Sequence, residues 1–160
     1  VIGLVGSDEK LKWCRDELHF DHVFNYKQAN FWSDVKRVAP QGVDIYFDNV
    51  GGDFFYTVLS EHLKKRGRVL CCGAIQTYNG SEAKYPAISL SILANELNVM
   101  GFLIFEHDDE MPSAYVELIK LLSSDQLKVR ESVYDGIEKM FDAFSGLFRG
   151  DNIGKAIVKA

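Results

Sequence analysis

The sequence has few of the residues on which disulfide-bonded and zinc-binding proteins depend. Its 160 residues include 3 cysteines, 3 prolines and 4 histidines. An odd number of cysteines, with Cys71 and Cys72 adjacent and no C-x-x-C pair, does not indicate a disulfide framework. His62 and His107 have no cysteine or carboxylate neighbours at zinc-ligand spacing. We therefore expect a reducing, cytoplasmic location.

Basic charge and long apolar runs are also scarce. The chain has 18 Lys and Arg against 23 Asp and Glu, a net charge of −5. Nucleic-acid binding needs clustered cations, and a membrane span needs about 20 consecutive apolar residues. Neither feature is present, so we expect no nucleic acid and no membrane among the partners. Apolar residues make up 47% of the chain, enough to bury a sizeable core.

Strand-like and helical patterns alternate through the first two thirds of the sequence. Strands are predicted at Ile2–Val5, His22–Asn25, Val43–Phe47, Val69–Cys72 and Asn98–Phe102, and helices at Glu9–Leu18, Phe31–Val38, Phe54–Lys64 and Ser89–Asn95. Several strands are continuously apolar, which is typical of parallel strands covered on both faces. The alternation predicts an α/β fold built on a doubly wound parallel sheet.

The pattern changes after Phe102. Pro112 suits the first turn of a helix, and a short strand is expected at Val129–Tyr134. An apolar stripe over residues 137–148 predicts a helix with a buried face, ended by Gly150, and residues 156–158 read as a last strand.

The turn after the strand Ile2–Val5 bears on cofactor choice. NAD-binding folds place an acidic residue at this strand end, whereas NADP-binding folds need neutral or cationic groups. Here Ser7 can cap the next helix and donate to a phosphate, and Lys10 adds a cation one turn later. Two plainer interpretations remain open: Asp8 and Glu9 complement the helix dipole, and Lys10 is a solvated surface lysine.

Polar residues also follow the strand Val43–Phe47. Asn49 has an amide that can bridge ribose hydroxyls, and Gly51-Gly52 permits a close backbone approach or a left-handed turn. The alternative is that the DNVGG segment only caps the following helix.

The block that follows the strand Val69–Cys72 is the other strong candidate. Gly73 allows a loop to fold over a cofactor, and Ile75 can pack against an apolar ring. Tyr78 carries a phenol that donates a hydrogen bond at neutral pH and can stabilise a developing enolate. The alternative role of Tyr78 is that of a loop anchor.

The phosphate-binding sequence G-x-G-x-x-G does not occur, and the chain opens at Val1 inside an apolar strand-like run. Both features lead us to expect a fragment of a longer protein. As a fragment it should lack enzymatic activity, bind a dinucleotide weakly at best, and leave the apolar helix around Phe141 and Phe148 without its natural partner.

Five segments, GSDEK, FNYK, FDNVGG, CGAIQTYN and GDNIGK, together resemble the NADPH-dependent medium-chain dehydrogenases/reductases. Within that superfamily the chain is most similar to the zinc-free prostaglandin reductase and leukotriene B4 12-hydroxydehydrogenase group of alkenal/one oxidoreductases. The resemblance implies a Rossmann-type sheet lacking its first strand. It also implies that residues 1–124 form the nucleotide-binding domain and that residues 125–160 are a C-terminal piece of the catalytic domain. One departure is His19, where the family usually has Gly at the helix end.

The resemblance also implies which residues form the site. Tyr78 is expected to be catalytic and to lie near the nicotinamide ribose, and no metal ligand is expected. The residues expected to bind NADP(H) are Ser7, Lys10, Tyr26, Asn49, Cys72, Gly73, Ala74, Ile75, Tyr78, Phe102, Leu103, Ile104 and Asn152.

The implied activity of the parent protein is reduction of the carbon–carbon double bond of α,β-unsaturated ketones or aldehydes. The expected partner is a small enone, and a homodimer is possible. Two alternatives stay open: an NADPH quinone oxidoreductase on the same scaffold, and a non-catalytic dinucleotide-binding or interaction module.

Overall fold

The computed structural model describes residues 1–78 and 88–160. Asn79, the last residue of the CGAIQTYN segment, lies outside the described residues. The chain divides into two compact units: Val1–Phe31 together with Glu110–Ala160, and Trp32–Asp109. We call these the outer unit and the central unit, after their positions in the sequence.

The strands and helices follow the predicted alternation. The strands of the described residues are β1 (Ile2–Val5), β2 (His22–Asn25), β3 (Val43–Asp48), β4 (Leu63–Cys71), β5 (Asn98–Gly101), β6 (Glu131–Asp135) and β7 (Lys155–Lys159). The α-helices are α1 (Asp8–Asp16), α2 (Phe31–Val38), α3 (Gly52–Thr57), α4 (Ile88–Asn95), α5 (Met111–Ser123) and α6 (Met140–Arg149).

All strand pairings are parallel within the described residues. Strand β1 pairs with β2, the strands β3, β4 and β5 form a second sheet in that order, and β6 pairs with β7. A Rossmann sheet has the strand order 3-2-1-4-5-6. Within each of these groups a helix lies between consecutive strands of the chain, as in a doubly wound α/β fold. The predicted Rossmann-type α/β class is therefore confirmed.

The start of β4 corrects the sequence prediction. A helix was expected to run to Lys64, with the next strand starting at Val69. Instead α3 ends at Thr57, a π-helical turn covers Val58–His62, and β4 begins at Leu63. The run over residues 64–68 is polar and lacks an apolar strand pattern. It lies at an irregularity, because four residues of β4 and one of β3 separate the pair Val43–Leu63 from the pair Ile45–Arg68.

Ion pairs hold this irregular segment. The ammonium of Lys64 lies 2.9 Å from the Asp44 carboxylate, and Lys65 and Arg66 share Glu96 at 2.8 and 2.9 Å. Arg66 adopts a φ of +65°, the left-handed region that side chains other than Gly seldom enter. Charge pairing across the strands, rather than apolar burial, therefore accompanies the first half of β4.

The core of the central unit lies between β4 and the helices beside it. Leu59, Val69 and Leu97 are its buried residues. His62 is also buried, and its ring stacks on that of Trp32 with centroids 4.7 Å apart. Within the described residues the Nε2 atom of His62 has no hydrogen-bond partner, and burial lowers the pKa of this imidazole.

The backbone of the outer unit shows why Gly is usual at the position of His19. His19 follows α1 with a φ of +54°, in the left-handed region that commonly ends helices and favours Gly. In the same unit, α5 carries Pro112 in its first turn as predicted, and α6 ends at Gly150 with a φ of +72°.

The large apolar side chains of α6 are exposed rather than buried. The rings of Phe141, Phe144 and Phe148 all remain accessible to solvent, as expected for a helix face without its partner. No helix among the described residues combines the length and the apolar character needed to cross a membrane.

Candidate functional site

Ser7 has the helix-capping role predicted for it, and Lys10 lies in the first turn of the same helix. Ser7 is the N-cap of α1, and its Oγ accepts a hydrogen bond from the Lys10 backbone N–H at 3.3 Å. Because the oxygen acts as acceptor here, its O–H is left to donate to a ligand. Asp8 and Glu9 occupy the first turn, where negative charge complements the helix dipole.

Lys10 is held by the C-terminal part of the outer unit. Its Nζ donates to the backbone carbonyl of Gly150, the C-cap of α6, at 2.5 Å. A cation is favourable at this end of a helix. The ammonium has three donors, so one bond to Gly150 leaves two for a phosphate. Lys10 is therefore a positioned cation rather than a freely solvated one.

Tyr26 lies beside the same turn. A β-carbon added to Gly6 would be 2.6 Å from the Tyr26 Oη, so the phenol covers the residue that precedes Ser7. Asn25, which the sequence analysis did not select, is buried here. Its amide donates to the Asp8 carboxylate at 2.8 Å and accepts from the Lys27 N–H at 3.1 Å. The outer unit thus gathers Ser7, Lys10 and Tyr26 at one turn.

Asn152 belongs to the outer unit as well. Its Nδ2 donates to the Gly154 carbonyl at 2.5 Å in the turn before β7. The hydroxyl of Ser132 accepts from the Ile153 N–H at 3.0 Å and fixes that turn to β6. The amide of Asn152 is therefore used within its own turn.

The central unit holds the second cluster, at the carboxyl ends of β3 and β4. The loop after β3 and the loop after β4 are joined by backbone hydrogen bonds: Cys72 N–H and Gly73 N–H donate to the Asp48 carbonyl at 2.8 and 3.2 Å, Ile75 N–H to the Asn49 carbonyl at 3.2 Å, and Gln76 N–H to the Val50 carbonyl at 3.0 Å. In open α/β sheets this end of the strands is where ligands bind.

Gly73 lies where these two loops approach closely. A β-carbon there would lie 3.0 Å from the Asn49 Oδ1 and 3.2 Å from the Tyr78 Oη. The space that a side chain would need is therefore already taken by the two polar groups. The absence of a side chain at position 73 brings the Asn49 amide and the Tyr78 phenol together.

Tyr78 combines anchoring with exposure. Its Oη accepts a hydrogen bond from the Ala74 N–H at 3.1 Å, while 64% of the residue remains exposed. The bond fixes the ring over the loop, as the plainer interpretation required. It also leaves the O–H proton to be donated to another group, as the catalytic interpretation required.

Apolar residues border the same edge of the central unit. Ile75, Leu103 and Ile104 are all exposed, and the ring of Phe102 lies 6.3 Å from that of Phe47. The Phe102 N–H donates to the Cys71 carbonyl at 3.3 Å, which attaches the end of β5 to β4. These side chains offer an apolar surface of the kind that an aromatic ring can cover.

Asp48 is the site residue that sequence reasoning missed. It is 2% exposed, and its carboxylate accepts from the Tyr46 hydroxyl and from the Val50 and Gly51 N–H groups. Burial, and then the hydrogen bond to Asp48, raise the pKa of Tyr46 well above its usual range. Burial and the charge of Asp48 also raise the pKa of the Cys71 thiol. A carboxylate placed directly after a buried strand was the signal available in the sequence.

Within residues 1–78 and 88–160, no group of three His, Cys, Asp or Glu side chains comes together as a metal site would require.

Residues 1–124 match the sequence profile of a known family, described as zinc-binding dehydrogenase. The chain belongs to the zinc-binding dehydrogenase family. This finding confirms the resemblance to the medium-chain dehydrogenases/reductases, and the curated relatives extend it to the prostaglandin reductase branch.

Two curated relatives and one solved structure show how far the similarity reaches. The chain is 40% identical to prostaglandin reductase 1 of Bos taurus over 163 residues, covering 100% of this chain and 49% of the relative. It is also 40% identical to a zinc-type alcohol dehydrogenase-like protein of Schizosaccharomyces pombe, covering 99% of this chain and 45% of that protein. The structure of CurA from Vibrio vulnificus in complex with NADPH has a TM-score of 0.93 and 32% identity, covering 100% of this chain and 49% of CurA. The chain therefore spans about half the length of the relatives it matches.

Proposed function

We propose that the protein containing this chain is an NADPH-dependent oxidoreductase that reduces the carbon–carbon double bond of α,β-unsaturated ketones or aldehydes. The observation that carries the proposal is the arrangement of Asn49, Gly73 and Tyr78 at the carboxyl ends of β3 and β4. The similarity to prostaglandin reductase 1 and to the NADPH complex of CurA supports it.

The donor groups of the outer unit fit the 2′-phosphate of NADPH. Ser7 offers a hydroxyl, Lys10 an ammonium and Tyr26 a phenol around one helix N-terminus. Helix N-termini favour anions, and no carboxylate occupies the position that NAD enzymes use to bind ribose hydroxyls. Asn152 of the same unit would contact the phosphate on the nicotinamide side.

The groups of the central unit fit the nicotinamide half. The Asn49 amide would bind ribose hydroxyls beside the Tyr78 phenol, and Gly73 and Ala74 would line the same part of the cofactor site. Cys72 and Ile75, in the same loop, would line the cofactor site. Phe102, Leu103 and Ile104 would face the carboxamide of the nicotinamide.

NADPH supplies a hydride when it is bound. The role proposed for this chain is to stabilise the negative charge that develops on the carbonyl oxygen of the enone. The Tyr78 oxygen already accepts from the Ala74 N–H, which leaves the phenol O–H to donate to the substrate oxygen. Such a preorganised donor stabilises the enolate oxygen more than the neutral ketone.

Three further features belong to the same proposal. Residues 1–124 are the nucleotide-binding domain, and residues 125–160 contribute to the catalytic domain of the complete protein. The three free thiols, Cys14, Cys71 and Cys72, fit a cytoplasmic location. A homodimer is the proposed assembly, and the exposed apolar residues of β5 support it.

Lys10 should set the choice of cofactor in the complete protein. We expect kcat/KM with an enone to be at least about tenfold higher for NADPH than for NADH, a difference of about 1.4 kcal/mol. Lys10→Ala should reduce this preference, because the cation that binds the 2′-phosphate is removed. The measurement is the initial rate of NADPH and NADH oxidation with an enone and, in parallel, with a quinone.

Lys12→Ala is the matched control, since Lys12 is an exposed lysine of the same helix. Its cofactor preference should equal that of the wild type. Equal use of NADPH and NADH by the wild type would contradict the cofactor assignment, and oxidation with the quinone alone would favour the quinone reductase alternative.

A further inference from the structure

Strand β3 ends in a buried carboxylate, that of Asp48, which the proposed chemistry does not use. Asp48 is 2% exposed, yet the groups that donate to its carboxylate are all neutral. The Tyr46 hydroxyl donates to Oδ1 at 2.8 Å, the Val50 N–H to Oδ1 at 2.9 Å, and the Gly51 N–H to Oδ1 and Oδ2 at 3.1 and 3.2 Å. Burying a carboxylate costs free energy unless it accepts hydrogen bonds, so the surrounding backbone must be arranged to donate them.

These hydrogen bonds determine the shape of the loop around Asn49. With Val50 and Gly51 both donating to the Asp48 side chain, the chain turns sharply and Asn49 lies at its outer corner. Gly51 has a φ of +69° in this turn, which only Gly adopts without strain. The carboxylate therefore fixes the direction in which residue 49 leaves the strand.

The backbone carbonyl of Asp48 fixes the second loop. It accepts from the Cys72 and Gly73 N–H groups, directly before the Ala74 N–H that binds the Tyr78 phenol. One residue thus holds both loops: its side chain orders the loop of Asn49, and its carbonyl orders the loop of Tyr78. The Asn49 Oδ1 and the Tyr78 Oη meet above Gly73 as a result.

We infer that Asp48 is a positioning residue that holds Asn49 and Tyr78 at the spacing the cofactor site requires. The inference rests on the proposed function for its consequence, NADPH binding, but the ordering of the loops can be measured without any cofactor. Tyr46 supports the same arrangement, because its hydroxyl donates a hydrogen bond to the Asp48 carboxylate.

The test uses Asp48→Ala in the complete protein, with two readouts. Amide hydrogen exchange without cofactor should be at least about tenfold faster at Val50 and Gly51, since a charge-assisted hydrogen bond of this kind is worth about that factor. The Kd for NADPH, measured by calorimetry, should rise by about tenfold or more. Asp48→Asn retains an acceptor oxygen and should restore both readouts to within about threefold of the wild type.

Asp44→Ala is the control, because Asp44 is an exposed carboxylate on the same strand whose partner is Lys64. It should change neither readout. If Asp48→Ala does not fold, Tyr46→Phe decides the question: it removes one donor to the carboxylate and should accelerate exchange at Val50 and Gly51 and weaken NADPH binding.

Wild-type exchange at Val50 and Gly51 together with wild-type NADPH affinity, in folded Asp48→Ala or in Tyr46→Phe, would overturn the inference. Failure of the proposed function looks different. In that case the wild type itself does not bind NADPH, while the faster exchange in Asp48→Ala still shows that this residue orders the loop.

Discussion

Replacing Tyr78 with Phe should lower kcat for enone reduction by about 10²–10³-fold, the loss expected for one preorganised oxyanion donor worth about 2.7–4 kcal/mol. The variant keeps the ring and removes the hydroxyl that would donate to the enolate oxygen. The Kd for NADPH should change little, because the proposed role of the hydroxyl concerns charge that develops during the reaction. Initial rates at saturating NADPH and a separate binding titration measure the two quantities.

Tyr115→Phe serves as the control for the Tyr78 substitution. Tyr115 is an exposed tyrosine on α5, in the other unit, and the loss of its hydroxyl should leave kcat unchanged. A wild-type kcat in Tyr78→Phe would return this phenol to the role of a loop anchor, held by the Ala74 N–H.

Leu59→Ala should lower the free energy of unfolding by about 2–5 kcal/mol, the range found when a buried leucine is truncated to alanine. Leu59 is 1% exposed and packs with Val69 and Leu97 in the core of the central unit. The substitution removes contacts that the surrounding residues cannot fully replace, so a cavity remains. Urea unfolding curves of the complete protein give the change.

Leu93→Ala is the same chemical change at an exposed position, since Leu93 is 76% exposed. Its effect should lie within about 0.5 kcal/mol of zero, as is usual for surface substitutions. Equal losses at positions 59 and 93 would show that the core does not lie between β4 and its neighbouring helices.

The strands that the sequence predicted best are those with apolar runs and clear turn signals. The predicted bounds of β1, β2 and α2 agree with the structure, because each apolar stretch is closed by polar or turn-forming residues. The first half of β4 was missed for the opposite reason. Residues 64–68 are mostly basic, and they join the sheet through an irregular register and ion pairs with Asp44 and Glu96.

The residues proposed for the site were predictable as members of motifs, but their geometry was not. Nothing in the sequence shows that Gly73 lies between the Asn49 amide and the Tyr78 phenol, because that proximity depends on how two separate loops pair. The contact between Lys10 and Gly150 joins residues 140 positions apart and is equally hidden. Asp48 was overlooked because its role is to hold other residues rather than to reach a ligand.

The most direct test of the proposed reaction follows the hydride itself. The complete protein is supplied with NADPH that carries deuterium on the transferable C4 position, together with an α,β-unsaturated ketone, and the product is analysed by NMR. We expect the saturated ketone, with deuterium on the carbon that was β to the carbonyl. Deuterium on the carbinol carbon of an allylic alcohol, or no consumption of NADPH, would contradict the proposed function.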